Sequence, residues 1–144
     1  MHTDTRSRIY GSTTGYHQYA VFKLENGQVW QQSEYHYQYH YAYQPEVRLF
    51  RYGTQQMLEI GGTLQAVSVI RVRIEVEGKI VSDFRGFDGD AQFHFQNGQL
   101  WKPAEYKYEY RYAYRPHAMV VSAPGGPALH VDGMNSSLRV RRIR

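Results

Sequence analysis

Few residues of this chain are of the types that do covalent chemistry. It has no cysteine, so no thiol nucleophile is available. It carries no G-x-S-x-G elbow, no phosphate loop and no H-E-x-x-H helix signature. His36 and His40 come nearest to a metal-ligand pair. On a strand they share a face but stand about 13 Å apart at ~3.3 Å per residue, too far to hold one ion. Asp88-Gly89-Asp90 offers two carboxylates where calcium takes about six to eight oxygens, and reads as a turn. No catalysis, metal or cofactor is expected.

What remains is aromatic. Tyr35, Tyr37, Tyr39, Tyr41 and Tyr43 alternate with other residues up to Pro45. Tyr106, Tyr108, Tyr110, Tyr112 and Tyr114 do the same up to Pro116. Alternation sends successive side chains to opposite faces of a strand, and proline closes each run. Two uses of the phenols compete. They form core or a seam between the halves, with hydroxyls at the rim, or they form a stacking platform for sugars, bases or peptides. Burial is favoured, because ten exposed rings would invite association. Trp30, Trp101, Tyr16, Phe87, Tyr43 and Tyr114 are the candidate ligand contacts. Trp30 and Trp101 also read as structural residues beneath a hairpin. For a nucleic-acid ligand the candidates are Lys107, Arg111, Arg139, Arg141 and Arg142.

These residues sit in a repeat. Residue n matches residue n+71 without a gap, as in Phe22/Phe93, Asn26/Asn97, Gly27/Gly98, Trp30/Trp101, Glu34/Glu105 and Pro45/Pro116. A duplication divides the chain into 1–72 and 73–144. Each half reads as strands alone. Arg8–Ser12 starts as a strand, Gly15–Tyr19 is a turn and Ala20–Glu25 a strand. Asn26-Gly27 is a two-residue type I′ loop pairing Leu24 with Val29 and Lys23 with Trp30. Its counterpart pairs Phe95 with Leu100 and His94 with Trp101. The return strand is long and bends near Gln31-Gln32-Ser33, where the second copy has Lys102-Pro103-Ala104. Val47–Arg51, Gln56–Ile60 and Gln65–Val72 follow. Ile70, Val72, Ile74 and Val76 alternate with charged residues across the junction, so one unbroken strand is expected there, with Gly78 the earliest break.

The stretch Gly86-Phe87-Asp88-Gly89-Asp90-Ala91-Gln92-Phe93, then Asn97-Gly98-Gln99-Leu100-Trp101 and the alternating tyrosines, resembles a small uncharacterised domain of bacterial hypothetical proteins, some of the mobile gene-cassette kind. The resemblance implies an SH3-like barrel without an assigned activity. The first copy departs from it at Gly15-Tyr16-His17-Gln18-Tyr19, where both aspartates are missing.

The expected architecture is all-β: two tandem small SH3-like barrels related by a pseudo-twofold. With 144 residues the chain suffices for one ordinary domain or two very small ones. The net charge of +4 permits acidic partners without pointing to them. No apolar run approaches the roughly 20 residues of a membrane helix. Met1-His2-Thr3-Asp4-Thr5-Arg6 lacks a leader's apolar segment, so a cytoplasmic location is expected. The function expected is a non-catalytic module that binds a protein or peptide. Single-stranded nucleic acid and cell-wall glycan are the alternative ligands.

Overall fold

The computed structural model describes residues 4–144. The three residues before them, part of the N-terminus read above, lie outside the described residues. The described residues are all-β; there is no helix among them, hence none long and apolar enough to cross a membrane. The chain divides into two compact units, one ending at Val72 and the other starting at Arg73.

The first unit contains β1 (Thr5–Arg8), β2 (Ser12–Tyr16), β3 (Val21–Lys23), β4 (Val29–Gln32), β5 (Gln38–Tyr43), β6 (Glu46–Tyr52), β7 (Gln55–Ile60) and the start of β8 (Val67–Lys79). Its antiparallel ladders run β1-β6-β7-β8-β4-β3, and β2 pairs separately with β5. The ends of the long path meet only at the single bridge pair Ile9–Leu24, so the ladders do not form a closed barrel. The core beneath them gathers Tyr16, Phe22, Trp30, Leu58, Ile60 and Val69 among others.

The second unit takes the end of β8 and adds β9 (Phe84–Phe87), β10 (Phe93–His94), β11 (Leu100–Pro103), β12 (Glu109–Ala113), β13 (His117–Ser122), β14 (Ala128–Val131) and β15 (Leu138–Arg142). Here the path is β8-β13-β14-β15-β11-β10, with β9 paired to β12 and a lone bridge at Ile80–Phe95. Phe84, Phe87 and Phe93 meet in the core at centroid separations of 6.2–6.5 Å, two of the three contacts edge-on.

Three local expectations need correction. First, the hairpin loop has three residues. Leu24 N–H donates to the Gln28 carbonyl at 2.9 Å, and the register is Phe22↔Trp30 and Lys23↔Val29. Gly27 has φ +89° while Asn26 stays in the ordinary region, so the type I′ turn is not formed. Asn26 instead accepts the Gln28 N–H on its side chain at 2.9 Å. The second unit repeats this, with Phe93↔Trp101, His94↔Leu100 and an Asn97 cap on Gln99 at 3.0 Å. The one-residue change puts Phe22 opposite Trp30 on the core face.

Second, the long return strand is two strands. β4 ends at Gln32, residues 33–37 are irregular, and β5 starts at Gln38. Buried Gln32 fixes the crossover, its amide donating to the carbonyls of Glu34 and His36, each at 2.9 Å. Third, the residues read as an opening strand and a turn are split differently. Ser12–Tyr16 is a strand, and the chain between β1 and β2 bends at Tyr10-Gly11. The strand expected across the junction is present: β8 runs unbroken past Val72 and Gly78 to Lys79.

The candidate tyrosine surface

The tyrosine runs alternate as expected, but the phenols face water. The five rings of the first run are 60–80% exposed and those of the second 56–77%. The expectation of a tyrosine core is therefore overturned. The reason lies on the other face of β5, β12 and the residues leading into them, whose side chains find partners inside their own unit. Gln38 accepts the Leu64 N–H at 3.3 Å. Glu109 accepts the Asn135 N–H and the Ser136 hydroxyl, both at 3.0 Å. The Lys107 ammonium donates to the Ser137 carbonyl at 2.6 Å. His36 packs against the Tyr16 ring at 5.6 Å. Turning either strand over would break these contacts; the hydrogen bonds among them are half-buried or exposed and contribute about 0.5–1.5 kcal/mol each, more where a charge is involved.

β5 and β12 are held down by close backbone approach. Gly15 (φ +100°) and Gly86 (φ +96°) lie against the carbonyls of Gln38 and Glu109, where no β-carbon fits. Among the described strands β5 pairs only with β2 and β12 only with β9. Tyr39, Tyr41 and Tyr43 thus lie on one two-stranded ribbon, and Tyr110 and Tyr112 on the other; the remaining rings of each row stand on the irregular chain beside it. Along each strand the rings recur every ~6.6 Å at two residues per repeat.

Arginines border the second row. The Arg85 guanidinium lies 5.6 Å from the Tyr112 centroid, and that of Arg115 lies 5.7 Å from Tyr114. Asp83 pairs with Arg85 at 2.8 Å and holds its pKa above the usual arginine value. A shallow cleft of about 250 Å³ is bordered by Asp83, Phe84, Tyr112, Tyr114 and Arg115.

The candidate ligand contacts separate into two groups. Tyr43 and Tyr114 are exposed and belong to the rows. Tyr16 and Phe87 are core residues, each 1% exposed, and cannot meet a ligand without unfolding. Burial pushes the Tyr16 phenol above its ordinary pKa; its oxygen accepts the Ile60 N–H at 2.8 Å and pairs with the Thr63 hydroxyl at 2.8 Å. Trp30 and Trp101 are buried as well. Each indole N–H donates within its hairpin, to Gln28 at 3.2 Å and to Gln99 at 3.0 Å. Both indoles are packed within their hairpins, and Trp30 also borders a cleft of its unit.

Three of the five basic candidates are engaged within their own unit. Lys107 is tied to Ser137, Arg111 lies against Gly133, and Arg139 is bound to loop carbonyls of Pro124 and Gly126. Arg141 and Arg142 are exposed on β15. Sequence reasoning missed Arg85 and Arg115; Arg115 directly follows Tyr114, whereas Arg85 lies 21 residues before Tyr106 and carried no such signal. It also passed over Glu34 and Glu105 as anchors. They accept the backbone N–H of Ser68 at 2.9 Å and of Arg139 at 2.6 Å. Their identity in the repeat was the available sign. No protein-family model matches this chain, and neither a curated protein nor a solved structure is significantly similar to it.

Proposed function

We propose that the chain is a non-catalytic binding module of two duplicated, small SH3-like barrels, and that the two tyrosine rows are its recognition surface for an extended protein or peptide segment. One observation carries this reading: ten phenols stand in water, and β5 and β12, which carry five of them, have unpaired outer edges. Natural sheets blunt such edges unless they are used. A peptide added along the edge would gain main-chain hydrogen bonds, while alternate side chains rest on the rings. The duplication is supported by equivalent ladders and caps at an offset of 71 residues, among them the Asn26 and Asn97 caps and the Glu34 and Glu105 anchors.

The test is selection from a displayed library of linear peptides, followed by titration. Replacing Tyr39, Tyr41 and Tyr43 by serine, or Tyr110, Tyr112 and Tyr114, should weaken binding about tenfold or more, since aromatic anchors dominate such interfaces. Peptides that bind both variants as tightly as the parent would end the proposal, as would a library that yields none.

Arg85 and Arg115 beside Tyr112 and Tyr114 favour a second reading, single-stranded nucleic acid stacked on the second row. That reading requires oligonucleotide affinity that falls steeply with added salt.

A further inference from the structure

The two units differ beside the buried tryptophan. In the first, Trp30, Ser33, Arg51, Thr54, Ser68 and Arg71 border a cleft of about 460 Å³. That is the size range of small-molecule sites. The Arg71 guanidinium lies 5.6 Å from the Trp30 centroid, and Arg51 donates to the Thr54 carbonyl at 3.0 Å. Among the described residues neither guanidinium is paired with a carboxylate, and no acidic residue borders the cleft. Glu34, next in sequence to Ser33, directs one carboxylate oxygen to the Ser68 N–H. Ser68 accepts the Ser33 hydroxyl at 3.0 Å, so its own O–H remains available to donate.

In the second unit the residue equivalent to Ser68 is Arg139. Its backbone is anchored in the same way, by Glu105. Its guanidinium donates to the carbonyls of Pro124, at 2.8 Å, and Gly126. It packs so closely on Gly125 that a β-carbon there would lie 3.3 Å from it. The long side chain fills the space that serine leaves open in the first unit. The residue equivalent to Arg51 is Ser122. One unit has a plugged site with its cation satisfied, and the other an open one flanked by two cations.

We propose that the cleft of the first unit binds a small organic oxyanion, a phosphate- or carboxylate-bearing metabolite. Arg51 and Arg71 supply the charge and the Ser68 hydroxyl a donor. Guanidinium forks match the oxygens of both head groups. Stacking on Trp30 limits the freedom that Arg71 would otherwise lose on binding. This site is separate from the tyrosine rows, and its failure would leave the reading of those rows untouched.

The test is a titration of the full chain with inorganic pyrophosphate, with citrate and with sodium chloride at matched ionic strength. It is followed by the amide resonances of residues 51–56 and 68–71 and by the Trp30 indole N–H. Saturable shifts with pyrophosphate or citrate, absent with chloride, are expected, and the tighter of the two identifies the head group. Arg51→Gln and Arg71→Gln, at exposed side chains, should each weaken binding about tenfold, in keeping with loss of a charge-assisted contact. Ser68→Arg should abolish it, and Arg115→Gln in the other unit should leave it unchanged. Shifts no larger than the chloride control would overturn the proposal. So would parental affinity in both arginine variants.

Discussion

The carbonyl of Glu109 occupies the space where a β-carbon on Gly86 would have to go, and Gln38 stands in the same relation to Gly15. Each contact seats a tyrosine-bearing strand on its partner. Gly86→Ala should therefore cost about 3 kcal/mol or more, through a clash added to a positive φ. Chemical denaturation measures this. A change below about 1 kcal/mol would mean that β9 and β12 part easily.

Tyr16→Phe removes the acceptor of the buried Ile60 N–H. A loss of about 1–3 kcal/mol is expected in thermal or denaturant unfolding. A pH dependence follows from the raised phenol pKa. Below the unfolded value of 10.0 both states keep the proton and stability is unaffected. Above it the unfolded chain loses the proton first, so stability falls as pH rises through the folded pKa. Tyr16→Phe should flatten that alkaline decline relative to the parent.

Glu34→Ala and Glu105→Ala test the anchors on Ser68 and Arg139. Each removes a charge-assisted acceptor, and a loss of about 1.5–3 kcal/mol is expected by denaturant unfolding. Glu105→Ala should also loosen Arg139, which amide hydrogen exchange at that residue would detect.

Tyr41→Ser and Tyr112→Ser should change stability by no more than about 0.5 kcal/mol, because the rings lie in water. Phe22→Ala, in the core, should cost about 3–5 kcal/mol. Equal losses at the three sites would show that the rings are covered in solution.

Much of the strand framework was legible in the sequence. Alternation from Tyr35 to Tyr43 marked β5, and the unbroken pattern across Val72 and Ile74 marked β8. Which face of β5 and β12 is buried was not legible. A period of two distinguishes two faces and is silent on which one is covered. The deciding contacts, Glu109 with Asn135 and Ser136, are 26 and 27 residues apart. The hairpin register slipped by one because the Asn26 side chain caps Gln28, a choice that the Asn-Gly pair alone does not reveal. The plug at Arg139 depends on carbonyls of the Pro124–Gly126 loop and could not be read from the arginine itself.

Ten phenols in water also set how the molecule meets oxidants. Two tyrosyl radicals formed on neighbouring rings of one row can couple to each other, so intramolecular dityrosine, read by its fluorescence, is the expected product of mild oxidation. Tyr16, 1% exposed beneath its ladder, is the one phenol that iodination should spare.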